Sequence, residues 1–404
     1  MAGARVIVAM SGGVDSSVAA ALLCEAGYDV VGVSMLLTDD PAGSVRAGQG
    51  CCSLEDFRDA RRVAERLGIA YYVWNLAEAF HARVMDVFTA EYLRGRTPSP
   101  CVLCNHELKF DELWRRAGAL GIELVATGHY ARSACGADGR HRLLRARDTA
   151  KDQSYFLFGL SQGQLARSRF PLGELTKSDV RAVARRLGLG VADKPESQEI
   201  CFVPNRDYAG FVERRAPAGA LRPGAIVDAD GRTLATHAGV HRFTIGQRRG
   251  LGLGGGTARY VTGIDAASGS VRIGVKADLA SRGLLAERVH WIARPADRAS
   301  VRIRHRHEPV PARLIERCGN VVEVWFDEPV SAVTPGQAAV FYRGDEVLGG
   351  GWIGAALPGA LPARALVREC AETQRADETP RWAATQTAGG DAGPEPRGHQ
   401  RTEG

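Results

Sequence analysis

The chain opens on an apolar run, Val6-Ile-Val-Ala-Met10, that breaks at Gly12 and Gly13 and passes directly into helical spacing (Val18, Ala19, Ala21, Leu22, Leu23) ending at Gly27. A short unbroken apolar run reads as a strand buried on both faces, and the switch to a 3.6-residue period reads as the helix that follows it. The alternation continues. Val30–Leu36 is a second buried strand, and Ser53 caps a helix with Asp56 three residues on and Gly68 at its end. Tyr71–Leu76 is a third strand, and residues 77–94 form a long amphipathic helix. Two prolines make Arg96-Thr-Pro-Ser-Pro100 a loop. A helix resumes near Asn105 and ends by Gly121, Leu124–Thr127 is a further strand running into Gly128-His-Tyr130, and Thr176–Leu187 is a capped helix closed by Gly188. Strands alternating with helices predict an α/β fold with a doubly wound parallel sheet and ligands at the C-terminal ends of its strands.

From about Pro204 glycines become frequent and helical periodicity fades; Gly224–Asp228 reads as a strand between turns. Residues 282–354 carry β alternation in Val301–His307, Val321–Phe326 and Ala338–Tyr342, as in a small barrel. Beyond about Gly359 the periodicity stops, and the composition predicts a disordered tail with an idle Cys370. The expected organisation is therefore 1–205 as an N-terminal parallel-sheet domain, 206–281 as a small mixed or β central domain, 282–357 as a C-terminal β-barrel, and 358–404 as tail.

A chain of 404 residues has room for two or three domains. No run approaches the roughly eighteen apolar residues of a membrane span, and there is no secretion signal, which points to the cytoplasm. The net charge of +6 suits a polyanionic partner. Arginine greatly outnumbers lysine, so the few lysines, Lys109 and Lys151 among them, draw attention. Nine unevenly spaced cysteines read as reduced thiols rather than a disulfide framework.

The candidate chemistry starts at Ser11-Gly-Gly-Val-Asp-Ser16. Strand, glycine turn and helix N-terminus present backbone amides to an anion, and no Walker Gly-Lys-Ser/Thr ending follows. The turn resembles the pyrophosphate loop of enzymes that split ATP into AMP and pyrophosphate. Asp15 is expected near a Mg²⁺ ion that offsets its repulsion from phosphate. Cys101-Val-Leu-Cys104 follows the two-proline loop and opens a helix, where a thiolate is stabilised. Cys201 follows Ser197-Gln-Glu-Ile. On spacing alone three readings stand open: buried packing residues, metal or iron–sulfur ligands lacking a clear fourth thiolate, and a nucleophile with a sulfur carrier. Arg302, Arg304 and Arg306 are expected to share one strand face, either solvated or phosphate-binding. Arg248 and Arg249 are a second candidate for phosphate. Cys51 and Cys52 read as packing residues.

Taken in order, Ser11–Ser16, Arg94-Gly-Arg-Thr-Pro-Ser-Pro-Cys-Val-Leu-Cys-Asn105, Ala126-Thr-Gly-His-Tyr130, Asp148-Thr-Ala-Lys-Asp-Gln-Ser-Tyr-Phe156, Gly246-Gln-Arg-Arg-Gly-Leu251 and Thr334-Pro-Gly-Gln337 form a set that resembles the bacterial tRNA-specific 2-thiouridylase family. The resemblance covers about residues 4–354. It implies an enzyme that places sulfur at C2 of the wobble uridine of tRNA, using ATP and Mg²⁺ and a cysteine persulfide supplied by a sulfur-donor protein. It implies that Ala9, Met10, Ser11, Gly12, Gly13, Val14, Asp15, Ser16, Met35 and Gly128 hold ATP. Cys104 becomes the nucleophile and Cys201 the persulfide carrier, the two joining in a transient disulfide. Ser99, Pro100 and Cys101 would touch the target base, and His129, Lys151, Asp152, Gln153, Arg304, His305 and Gln337 the tRNA. Many members carry Asn-Pro-Asp where this chain has Ser99-Pro-Cys101, which removes a carboxylate and keeps the iron–sulfur reading open. Two rivals remain at this point: an ATP pyrophosphatase acting on a small molecule, and a non-catalytic RNA-binding protein on a nucleotide-binding scaffold.

Overall fold

The structure is a computed structural model that describes residues 3–38, 54–195, 200–254 and 257–359. Ser53, Cys51, Cys52, Ser197, Cys370 and the proposed tail lie outside these residues. The opening run forms β1 (Arg5–Ala9), with Val6, Ile7 and Val8 sealed from solvent on both faces, followed by α1 (Val14–Glu25) and β2 (Asp29–Leu36). Next come α2 (Leu54–Leu67), β3 (Ala70–Asn75) and, further along, β4 (Leu124–Thr127). β1 pairs in parallel with β2 (Val6 opposite Val30) and with β4 (Val6 opposite Leu124). The chain moves outward from β1 through β2 to β3, then returns to the other side of β1 as β4. A crevice therefore opens beyond the C-terminal ends of β1 and β4, where such sheets bind ligands.

Thr127 leads into an antiparallel hairpin, β5 (Ala131–Cys135) and β6 (His141–Arg145), which the sequence pattern did not reveal. The two-residue strand β7 (Ser168–Arg169) completes the five-stranded sheet, in the order β3-β2-β1-β4-β7. The hairpin leaves that sheet: β6 pairs with the distant strand Glu346–Leu357, so it extends the C-terminal sheet. That sheet closes on itself because Ala280–Trp291 pairs with both Val321–Ser331 and Glu346–Leu357, giving a six-stranded barrel around Leu284, Val301, Val324 and Phe341. Between the two lies a four-stranded mixed sheet, Tyr260–Asp265, Ser270–Gly274, Gly224–Val227 and Thr233–His237.

Two local expectations are corrected. The helix after the prolines begins at Pro100, with Ser99 as its cap, and runs through a wider π turn at Cys104–Phe110 into Asp111–Ala119. Cys104 thus sits one turn inside the helix, its amide already donating to the carbonyls of Pro100 and Cys101. Cys101 takes the N-terminal position. The strand expected over Val301–His307 stops at Arg302, and the chain turns back with the His307 amide donating to the Arg304 carbonyl at 3.0 Å. Arg302, Arg304 and Arg306 therefore do not share a sheet face: Arg302 is buried, while Arg304 and Arg306 are exposed. The residues expected as one helix over 77–94 form a continuous helical run, Ala77–Phe80, His81–Met85 and Asp86–Leu93, again with a π turn in the middle.

Candidate active site

The turn after β1 is pinned from three sides. The Ser34 hydroxyl donates to the Met10 carbonyl at 2.6 Å and receives the Tyr71 hydroxyl at 2.8 Å, so β2 and β3 fix where β1 ends. The Ser11 amide donates to Ser16 Oγ at 3.0 Å, and the hydroxyls of Ser16 and Ser17 donate to the Gly13 carbonyl at 3.2 and 2.9 Å. Gly12 has φ +71°, and a Cβ there would strike the backbone of Asp56 at the start of α2. Gly13 caps α1 without a side chain, which leaves the first-turn amides to an incoming anion.

Two lysines that sequence reasoning missed complete this turn. Lys194 Nζ donates to the Gly12 carbonyl at 3.1 Å and to the carboxylates of Asp56 at 2.7 Å and Asp59 at 2.5 Å. Burial works against its charge, but the hydrogen bonds it donates to Asp56 and Asp59 outweigh that and hold the ammonium above the usual lysine range. Lys177 Nζ reaches both oxygens of Asp15, at 2.7 and 2.8 Å, and the Tyr130 hydroxyl donates to the same carboxylate at 2.7 Å. Asp15 was expected beside a Mg²⁺ ion. In this structure Lys177 sets a positive charge against its carboxylate. Gly128, at the end of β4, lies against the start of α1, where a Cβ would come within 2.7 Å of the Ser16 nitrogen and 2.8 Å of the Asp15 carbonyl carbon. The rarity of lysine that drew attention to Lys109 and Lys151 was the one signal that pointed to Lys177 and Lys194.

The two distant cysteines share one apolar cluster. Cys104 is buried within the group built from Leu37, Leu76, Phe80, Phe88, Phe202 and Phe211, and Cys201 and Met35 pack against it. Met35 also packs against the cluster under the parallel sheet, so the end of β2 touches both the strand layer and the thiol cluster. Ser99 and Pro100 are buried and Cys101 is exposed. Among the described residues no three His, Cys, Asp or Glu side chains are grouped to hold a metal, so Cys101, Cys104 and Cys201 do not assemble a cluster ligand set.

The two-proline loop is held by the other two sheets. Gln337 Nε2 donates to the carbonyls of Thr97 at 2.9 Å and Pro98 at 3.1 Å. The Thr97 amide donates to the Pro335 carbonyl at 2.9 Å, and Arg96 reaches the Ile353 carbonyl at 3.1 Å. From the central region, Thr244 shares a hydroxyl bond of 3.1 Å with Thr97. Gln337, expected to face tRNA, is half-buried, and its amide nitrogen fastens the loop that precedes Cys104.

The segment around Lys151 is also tied inward. The Asp152 side chain is fully buried, accepting from Arg145 at 3.2 Å, from Arg302 at 3.1 Å and from the amides of Ala146 and Ser154 at 3.3 and 3.1 Å. An acid so enclosed does not face a polyanion, which corrects the expectation that it contacts tRNA. Gln153 pairs with Tyr130 through backbone and side chain, both at 2.9 Å. His305 places its ring against Phe156, with centroids 4.5 Å apart, and its Nε2 lies 3.2 Å from the Asp152 carbonyl. His129 Nδ1 lies 2.8 Å from the Thr127 hydroxyl and its ring stacks on Phe110; burial, aided by the charge of Lys109, drives its pKa down to about 3, so the imidazole is neutral. Lys151 is half-buried, and Arg248 and Arg249 are exposed.

Comparison with known proteins agrees with this arrangement. Residues 4–205 match the family described as a tRNA methyl transferase HUP domain, residues 210–275 its PRC-barrel domain, and residues 281–353 an aminomethyltransferase β-barrel domain. The tRNA-specific 2-thiouridylase MnmA of Geobacter metallireducens is 54% identical over 359 residues, covering 87% of this chain and 97% of that relative. The chain belongs to the tRNA-specific 2-thiouridylase family. Relatives of the same description from Geotalea uraniireducens and Solibacter usitatus are 53% and 52% identical, over 86% of this chain in each case and 94% and 98% of theirs. Such coverage spans all three sheets, so the family match is carried by the whole architecture rather than by the nucleotide turn alone. Among the described residues, no helix is long and apolar enough to cross a membrane.

Proposed function

We propose that this chain carries out ATP-dependent 2-thiolation of the wobble uridine of tRNA, with the nucleotide turn and the Cys104–Cys201 cluster serving one reaction. The supporting observation is that Met35 joins the strand layer ending at the nucleotide turn to the apolar cluster that contains Cys104 and packs Cys201. ATP lies with its phosphates on the first-turn amides of α1. The uridine, turned out of its stack, approaches over Ser99, Pro100 and Cys101. Its C2 oxygen attacks the α-phosphorus, the bond to pyrophosphate breaks, and the oxygen becomes part of an adenylate that leaves readily. Bound with ATP, Mg²⁺ would be held by the phosphates and the Asp15 carboxylate, where it would offset the repulsion between them.

Sulfur arrives as a persulfide on Cys201 from a donor protein. The terminal sulfur attacks C2 while the Cys104 thiolate attacks the Sγ of Cys201, either after C2 is bonded or before, with release of hydrosulfide. Either order gives 2-thiouridine, AMP and a Cys104–Cys201 disulfide, the two thiols having reduced the sulfane sulfur by two electrons. A cellular reductant then restores the thiols. His129, Lys151, Gln153, Arg304, His305 and Gln337 form the tRNA-facing rim, the chain divides into segments 1–205, 206–281, 282–357 and 358–404, and the enzyme works in the cytoplasm.

The test is pyrophosphate release and thiouridine formation in the Cys201→Ser variant. Adenylation should continue with tRNA present while 2-thiouridine disappears. Normal thiolation by this variant from a persulfide donor contradicts the assignment.

A further inference from the structure

The Asp148–Gln153 segment and the nucleotide turn are joined by two hydrogen-bonded bridges that meet on one carboxylate. In the first, Asp148 Oδ2 accepts the Lys177 backbone amide at 3.0 Å, and the Lys177 ammonium grips Asp15 at 2.7 and 2.8 Å. In the second, Gln153 holds the Tyr130 backbone in both directions at 2.9 Å, and the Tyr130 hydroxyl donates to Asp15 at 2.7 Å. The bridges also touch each other, since the Lys177 ammonium lies 5.7 Å from the centre of the Tyr130 ring.

Neither bridge is slack. Lys177 is the first residue of the helix Lys177–Arg186, which Thr176 and Asp179 fix with a reciprocal capping box. The Tyr130 ring is buried in the cluster between α1 and the parallel sheet. A displacement of either end of the segment is therefore passed to Asp15. That residue occupies the first turn of α1, among the amides that receive phosphate, where a shift of about 1 Å is enough to change in-line geometry.

We propose that Lys177 and Tyr130 are positioning residues that couple the Asp148–Gln153 segment to Asp15, so that tRNA seated on the segment raises the rate of ATP cleavage; this rests on the thiolation reading above. Before tRNA arrives, Asp15 is held by both residues. Contact at Lys151 and Gln153 moves the segment's two ends, and with them the side chains that set the position of Asp15. The proposal is carried by two continuous hydrogen-bonded paths that end on one carboxylate.

The test measures hydrolytic pyrophosphate release from ATP with and without saturating tRNA already thiolated at its wobble position, which seats on the segment but offers no C2 oxygen to attack, and expresses the result as a ratio, with 2-thiouridine formation from unmodified tRNA followed in parallel. Asp148→Ala removes the acceptor for the Lys177 amide, and Tyr130→Phe removes a single oxygen from a side chain whose ring stays packed. Each should lower the ratio about fivefold to tenfold, the expected effect of losing a hydrogen bond in a charged network. Asp148→Asn, which keeps an oxygen acceptor, should restore most of it, and Tyr130→Phe, which leaves untouched the Ala150 amide that Asp148 Oδ1 also accepts at 3.2 Å, separates coupling from a local lesion of the segment. A wild-type ratio in both Asp148→Ala and Tyr130→Phe overturns the coupling. So does a wild-type enzyme that makes 2-thiouridine yet shows the same hydrolytic pyrophosphate release with and without thiolated tRNA. A wild-type ratio that falls in both variants, with no 2-thiouridine from the wild-type enzyme and a persulfide donor, supports the coupling and overturns the thiolation reading.

Discussion

Replacing Arg302 by Met isolates the buried charge that joins the Lys151 segment to the barrel. The Asp152 side chain has no solvent exposure and that of Arg302 only 7%, so this is an interior ion pair, linking positions 150 residues apart. Exposed pairs are worth about 0–1 kcal/mol, whereas removing one partner of a buried pair costs roughly 3–5 kcal/mol because the other charge is left enclosed. Arg145 and the amides of Ala146 and Ser154 still reach Asp152 in the variant, which places the expected loss at the lower end, about 3 kcal/mol. Arg302 also donates to the His307 carbonyl at 2.8 Å, so the turn carrying Arg304 and His305 should loosen with it. Urea unfolding with a probe in the barrel, such as Trp325 or Trp352 fluorescence, reads the change. Asp152→Asn should destabilise as well, without the gain in tRNA affinity expected from removing a carboxylate that faced phosphate. A loss below about 1 kcal/mol for Arg302→Met, the range of solvent-exposed pairs, refutes the reasoning.

Other consequences follow from the same geometry. Gln337→Leu removes both hydrogen bonds to the two-proline loop and should lower the thiolation rate about tenfold while leaving ATP affinity near wild type, as measured by single-turnover kinetics and nucleotide titration. Gly128→Ala puts a methyl group against backbone atoms of Asp15 and Ser16 that have no side-chain freedom to retreat, so ATP binding should fall at least tenfold by calorimetry. His106 accepts the Gly159 amide at 2.9 Å, and burial, with the nearby His290, lowers its pKa to about 3, as burial and Lys109 do for His129. Both folded-state values lie below the unfolded value of about 6.5, so the stabilisation is present at neutral pH and is lost as pH falls from about 6.5 towards 3. Each histidine should cost about 2 kcal/mol by pH 5, and His106→Gln should flatten part of that slope in urea titrations run at several pH values.

Much of the fold was legible because it is written locally. Val6–Met10 is unbroken and apolar since β1 is buried on both faces, and the glycines that follow mark a turn that approaches Asp56 too closely for a Cβ. The Thr176 cap and the closing Gly188 marked the bounds of their helix just as directly. What failed was decided by partners distant in sequence. Arg302, Arg304 and Arg306 have perfect strand spacing, yet burial of Arg302 against Asp152 ends the strand and turns the rest outward. The β5–β6 hairpin has weak alternation of its own and gains its place by pairing Leu143 and Leu144 with Val347 and Glu346. Lys177 was missed as a partner of Asp15 because nothing nearby in sequence hints that it reaches that carboxylate. The anchoring role of Gln337 was hidden for the same reason: its two acceptors lie about 240 positions away.

The account depends on the two thiols acting in turn on one sulfur atom at the nucleotide pocket. The most direct measurement is a single turnover with ATP, unmodified tRNA and enzyme preloaded with persulfide, without reductant, followed by peptide mapping under acid quench. A Cys104–Cys201 disulfide should appear in one-to-one proportion with 2-thiouridine. Full formation of 2-thiouridine while Cys104 and Cys201 both remain thiols contradicts it.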